Sequence, residues 1–380
     1  MSKEIPFYKA TINETQKKLI SEVLSEEPGV DSKVTILEEA FVELTGASYA
    51  VATSNATSAM HLSLCAIDLK RGDKVLCSVN AFPSVPEVVR HFDAEPVFID
   101  INANDYNMNL DELEKYLEKN NSKKLKAVIV THVAGQALDL DRLYSIAQIY
   151  DVKIVEDASE AMGATYDGQI IGSTGADVVI YSFHPHLKNE AAHGGIMVCE
   201  DDTLYERALL LRNHAIPMPD EDEDEQLSYI YDVVDIGCQY KLSELNAAYC
   251  LGALENLTSA AKRRADIAKV YQDKLGNAPH IALPEVLGDH SFNLYIIKID
   301  KNRDSFARKL KEKGIETGLH YIPLHLLTYY KTKYSLRVNA YPVALQTYQQ
   351  ILSIPIYEGL SDADVTYICD TILDLTKTLV

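Results

Sequence analysis

The sequence predicts an α/β protein: a mainly parallel central sheet flanked by helices, followed by a smaller C-terminal α+β domain. Three observations predict it. The chain has 380 residues, more than one hydrophobic core usually organises. Short runs rich in Val and Ile alternate with longer amphipathic stretches, which is a βα rhythm. The runs are continuously apolar rather than alternating, as expected of strands buried on both faces between helices.

The elements follow in order. Apolar residues at helical spacing (Leu19, Ile20, Val23, Leu24) predict an opening helix. The strand runs fall at residues 49–52, 74–78, 96–99, 127–131, 153–156, 177–183 and 195–199, with helical stretches such as 111–118 and 140–150 between them. From 243 to 275 a long helical pattern contains no Pro and is suited to lead out of the first domain. Beyond it, 292–299 reads as a strand, 305–313 as a helix closed by Gly314, and 362–375 as a terminal helix. We therefore divide the chain into a large domain, 1–250, and a small one, 251–380.

Composition excludes several functions. The net charge is −20, so a nucleic-acid backbone would be repelled and no nucleic-acid partner is expected. No apolar run approaches the roughly 20 residues of a spanning helix, and the N-terminus lacks the apolar core of a secretory signal. A cytoplasmic protein that does not enter a membrane is expected. The six cysteines (Cys65, Cys77, Cys199, Cys238, Cys250, Cys369) include no C-x-x-C pair. Their spacing signals neither a zinc site nor a disulfide framework, and reduced buried thiols are expected. Six consecutive acids at 220–225 read as a solvated, self-repelling segment.

Three segments carry candidate chemistry. In TSNATSAMHLSL, Ser54, Asn55, Ala56, Thr57 and Ser58 lie between a strand and a helix. Such a start leaves backbone N–H groups for a phosphate, although Ser and Asn there are also ordinary helix caps. In IVEDASEAMGA, Asp157 ends a buried strand, where a cationic ligand nitrogen would offset its desolvation; capping the next segment is the alternative, for it and for Glu160. In IYSFHPHLKNEAAHGG, Ser182, His184, His186, Lys188 and His193 precede a Gly-Gly pair. A lysine whose pKa is lowered by burial can form a Schiff base there. The histidine spacing matches no helical ligand pair, so no metal is expected.

These segments occur in the order found in pyridoxal-phosphate enzymes of the aspartate-aminotransferase fold. Together with IPFYKATINETQ, THVAGQALDLDRL, RNHAI, IGCQYKLSELNAAYCLGAL, GLHYIPLHLLTYY and LSIPIYEGLSDADV, they make the sequence resemble the DegT/DnrJ/EryC1/StrS family of nucleotide-sugar aminotransferases over nearly its whole length. The resemblance implies a PLP-dependent transferase of fold type I, with pyridoxal 5′-phosphate as cofactor, pyridoxamine 5′-phosphate as its reaction form, and a homodimer with shared sites. A nucleotide-linked keto sugar and an amino acid, with glutamate the expected donor, would be the substrates.

Carried over residue by residue, Ala56 and Thr57 take the phosphate-binding positions and Phe82 the position stacking on the pyridine ring. Asp157 pairs with the ring nitrogen, Glu160 lies near the cofactor hydroxyl, and Ser182 binds phosphate. Gln239 and Lys241 stand where the family reaches the partner's site, with Gln239 toward the phosphate and Lys241 toward the substrate. His320, Tyr321 and His325 match a segment near the nucleotide sugar.

The departures concentrate at the lysine. In the family pattern the Schiff-base lysine is the fifth residue after the serine, but here the fifth is Leu187 and the lysine is Lys188. A compensated one-residue shift in a loop makes Lys188 the catalytic residue, which is the assignment adopted. An ungapped register would instead point to a pyridoxamine-phosphate-dependent keto-sugar dehydratase, and the several substitutions at cofactor-contact positions leave a non-catalytic binding protein on the same fold as a further alternative.

Overall fold

The computed structural model describes residues 4–25, 32–183, 192–217 and 231–377. Lys188, Leu187, His184, His186 and the acidic run at 220–225 lie outside the described residues. Two helices, α1 (Glu14–Ser25) and α2 (Lys33–Thr45), precede β1 (Tyr49–Thr53) and α3 (Ala56–Ala66). The strands β2 (Lys74–Ser78), β3 (Glu95–Ile99), β4 (Leu125–Thr131) and β5 (Lys153–Asp157) follow. After a small hairpin, β6 (Thr165–Tyr166) and β7 (Gln169–Ile170), come β8 (Val178–Ser182) and β9 (Gly195–Cys199).

All seven predicted strand runs pair into one sheet, ordered β1-β9-β8-β5-β4-β2-β3. The pairs β2–β3, β2–β4, β4–β5 and β5–β8 are parallel, while β9 runs antiparallel to both its neighbours. Successive residues of a strand enter opposite cores. Val51, Ile129, Val155, Ile180 and Met197 pack on one side, and Ala50, Ala52, Val128, Ile154, Val179 and Ile196 on the other. Burial of both faces is why the strands read as continuous apolar runs.

A second sheet has the order β10-β11-β12, from Ile281–Ala282, Tyr295–Ile299 and Ile351–Ile354, and is wholly antiparallel. Its core joins Tyr295, Ile297, Leu352 and Ile354 to Ile267, Tyr271 and Leu275 of the helix Leu257–Leu275, and to Ile368 and Ile372 of Asp362–Thr376. Ile5 is buried in this core as well, with its N–H on the Gly314 carbonyl at 2.7 Å. The N-terminal segment thus belongs spatially with residues three hundred positions later.

Two predicted elements differ in detail. The uninterrupted helical pattern from 243 to 275 divides into Glu244–Leu254 and Leu257–Leu275. The first half packs on α1 and α2, the second in the small-sheet core; one straight helix would not serve both. The break falls at Asn256, whose φ of −96° and ψ of 2° leave the helical region. The strand predicted from 292 starts only at Tyr295, because Phe292 has φ +49°. There the chain turns so that the Ser291 and Leu294 N–H groups reach the carbonyls of Gly135 and Ala134. None of the described helices is long and apolar enough to cross a membrane.

Candidate active site

The strands β1, β4, β5 and β8 all end at one edge of the large sheet, and β9 begins there. Thr53 and Ser182 each pair with Gly195, and Thr131 pairs with Asp157. This carboxyl edge is where α/β sheets place their ligands. Here it opens into a cavity of about 1080 Å³, lined by Ser54–Ser58, Phe82, Thr131, Asp157, Ser159, Glu160, Ser182, His193 and Gly194. The segment Thr317–Tyr321 and Phe7 close it from the side of the small sheet.

The floor is the start of α3. Asn55 caps the helix, its Oδ1 accepting from the Ser58 N–H at 2.9 Å. Ala56 and Thr57 are in the first turn, where N–H groups have no acceptor within the helix. Those N–H groups and the helix dipole therefore offer an anion site at the cavity floor. Gly195 allows this arrangement: a Cβ there would lie 2.3 Å from the Asn55 carbonyl carbon and 2.4 Å from the Ala56 nitrogen. The strand β9 approaches α3 too closely for any side chain.

The walls carry the charge. Asp157, at the end of β5, is 5% exposed, and burial pushes its carboxyl above the usual carboxylate range. The Ser159 N–H donates to it at 3.1 Å. Its position is propped from behind: the His132 N–H donates to the Asp157 carbonyl at 3.1 Å, and the buried His132 and Glu156 side chains meet at 3.1 Å. His132 Nδ1 accepts from the Leu138 N–H, so Nε2 carries the proton given to Glu156.

Glu160 is buried and fully engaged. One oxygen accepts from the Ala134 N–H at 2.7 Å, and the other from the Tyr321 hydroxyl. Burial pushes its carboxyl up to about 7 despite these bonds. The Tyr321 N–H in turn donates to Asn80 Oδ1 at 3.1 Å. The Phe82 ring contacts Tyr321 edge-on with centroids 5.9 Å apart, yet is 56% exposed and lines the cavity.

These residues fit the pyridoxal phosphate that the sequence resemblance implies. A phosphate would meet the Ala56 and Thr57 N–H groups. A protonated ring nitrogen would offset the desolvation that raises Asp157, and the exposed Phe82 ring would gain a flat partner. Glu160 is among the cavity's polar side chains that could meet the cofactor's phenolic oxygen. The lysine that would complete the site, Lys188, falls outside the described residues.

The remaining sequence-predicted residues divide. His320 lines the cavity, its Nδ1 2.8 Å from the Ser353 hydroxyl and its ring stacked on Phe7. His325 does not reach the cavity; it is wholly buried, and its Nε2–H donates to the Val338 carbonyl at 3.0 Å. Gln239 and Lys241 are exposed and line no part of their own chain's cavity. Sequence reasoning singled out His193, which lines the cavity, but missed Asn80, Thr131 and Phe7. THVAGQ, the segment that holds Thr131 and His132, carried a signal, but its polar residues had no chemistry legible without their neighbours.

The profile of the DegT/DnrJ/EryC1/StrS aminotransferase family matches residues 10–373. The spore coat polysaccharide biosynthesis protein SpsC of Bacillus subtilis (strain 168) is 31% identical over 378 residues, covering 97% of this chain and 95% of that one. Among solved structures, the putative sugar aminotransferase Spr1654 from Streptococcus pneumoniae in its PMP form superposes with a TM-score of 0.90 at 26% identity, covering 99% of this chain and all of that one. DesV from S. venezuelae gives 0.85 at 26% identity, over 96% of this chain and 95% of its own.

Proposed function

The chain belongs to the DegT/DnrJ/EryC1/StrS aminotransferase family, whose sugar aminotransferases use pyridoxal phosphate, and from that premise we propose that it moves an amino group from glutamate to a nucleotide-linked keto sugar. The observation that carries this reading is the joint placement of Ala56, Thr57, Phe82 and the buried Asp157 around one cavity. The relation to SpsC supports a product destined for a polysaccharide.

In this reading the cofactor, when bound, supplies an electron sink that makes a proton on the amine-bearing carbon removable. The residues of the chain do the rest. The Ala56 and Thr57 N–H groups and the Ser182 hydroxyl would hold the phosphate, and Asp157 would hold a proton on the ring nitrogen. Glu160, tied to Tyr321, would be the polar group offered to the cofactor's phenolic oxygen. Lys188 would take the proton from the donor α-carbon and, in the second half-reaction, deliver one to the former carbonyl carbon of the sugar. Phe82 and the Thr317–Tyr321 segment, which line the cavity, would cover the ring. The partner's copies of Gln239 and Lys241 would complete the phosphate and diphosphate contacts.

Borohydride reduction of the holoenzyme followed by peptide mass analysis tests the lysine. A cofactor-bearing peptide containing Lys188 is expected, and Lys188→Ala should lose both that adduct and turnover with glutamate and keto sugar. Undiminished transamination by Lys188→Ala would sink the assignment.

A further inference from the structure

Spacing in the chain signals no metal centre, yet folding assembles one set of metal-type ligands away from the cavity. Among the described residues, the donor atoms of His61, Cys65 and Cys238 all lie within 4.8 Å of one another. His61 and Cys65 are one turn apart on the same face of α3, an i, i+4 pair. Cys238 arrives from a separate, extended segment. Its backbone is pinned there, with its N–H on the Leu211 carbonyl at 2.7 Å and its carbonyl accepting from the His214 N–H at 2.9 Å.

The geometry points to a site for a zinc-type divalent ion bound by His61 Nδ1, Cys65 Sγ and Cys238 Sγ. Tetrahedral bonds of the usual lengths put a ligand sulfur and a ligand nitrogen about 3.5 Å apart. Cys65 Sγ and His61 Nδ1 are 3.6 Å apart, already the edge of such a tetrahedron. The imidazole is held in plane by stacking on Phe92 at 4.8 Å between centroids. The Tyr240 hydroxyl lies 3.3 Å from the same nitrogen, so a further oxygen stands next to the three ligands. Two thiolates and one neutral imidazole neutralise a divalent ion and favour a borderline-soft metal over calcium or magnesium.

The three groups are half-buried, so an ion has an entry path. Arg207 bounds the site, its Nε donating to the Cys65 carbonyl at 3.3 Å and its guanidinium facing Asp68 and Asp235. The role is structural. Such an ion would clamp the segment carrying Gln239 and Lys241 onto α3, whose first turn forms the anion site. The Ser54 N–H on the Tyr240 carbonyl at 2.9 Å is an existing link along that path.

Metal analysis of untagged holoenzyme, reduced and then incubated with zinc and desalted, tests this. About one ion per chain is expected, falling to background in His61→Ala and in the double variant Cys65→Ser with Cys238→Ser. Cobalt substitution of the unmutated protein should give tetrahedral d–d bands at longer wavelength than the cofactor absorbs, so the test does not depend on variants folding. Chelation should lower the thermal midpoint. Background zinc in the reduced, unmutated protein, metal retained in the double variant, or a Cys65–Cys238 disulfide in protein that binds no zinc after reduction would each overturn the site.

Discussion

Two buried carboxyls, Asp157 and Glu160, face the same cavity with different hydrogen-bond partners, the Ser159 N–H for the first and the Ala134 N–H and Tyr321 hydroxyl for the second. Glu160 has its proton held by burial, so its titration is visible in stability. Its unfolded value is 4.5 and its folded value about 7. The unfolded chain therefore releases this proton first as pH rises. The associated stability is full below about pH 4.5 and is lost as pH climbs to about 7, a change on the order of 3 kcal/mol. Urea denaturation of the cofactor-free protein across that range should show this slope, and Glu160→Gln should flatten it; an unchanged slope would reject the assignment.

Asp157→Asn should leave stability near or above that of the parent, since a buried charge is removed, while turnover falls by at least about a hundredfold for want of a protonated ring nitrogen. At this scale the sequence named Asp157, Glu160, Ala56, Thr57 and Phe82 from motif positions. It had no means of finding Asn80 or Phe7, because their relevance comes from the Tyr321 N–H and the His320 ring, residues more than two hundred positions away.

At the scale of elements, the junction of β9 with α3 leaves no room for a side chain at Gly195. Gly195→Ala would press a methyl group against the Asn55 and Ala56 backbone, neither of which can rotate aside. We expect a loss of about 1–3 kcal/mol in denaturation and a clearly weaker affinity in pyridoxal phosphate titration, because the first turn of α3 must shift. Unaltered cofactor affinity would separate β9 from the anion site. Strand positions were legible because both sheet faces are buried, so each run announced itself without reference to partners. The break at Asn256 was not legible, since helix-forming composition continues through it and only packing against two different cores divides it.

For the whole molecule, a strongly acidic chain is expected to bind anions, and local groups rather than net charge would do it. Gln239 and Lys241, exposed and apart from their own cavity, are expected to serve a partner subunit. Mixing inactive Lys188→Ala protein with inactive protein carrying Gln239→Ala and Lys241→Ala, with subunit exchange, should restore about a quarter of parental activity through one intact site per mixed dimer. No recovery after demonstrated exchange would place both residues in their own subunit's chemistry.

The sequence by itself determined the βα order and the seven buried strands, because burial on both faces is a local property of the chain; the motif residues now found around the cavity came from the family resemblance. The tertiary structure alone decided which distant groups meet. It put Ile5 into the small-sheet core, tied Tyr321 to Glu160, withdrew His325 from the site, and brought Cys238 to His61 and Cys65. Such meetings depend on how helices and sheets pack across long separations, and no spacing within the chain encodes them directly.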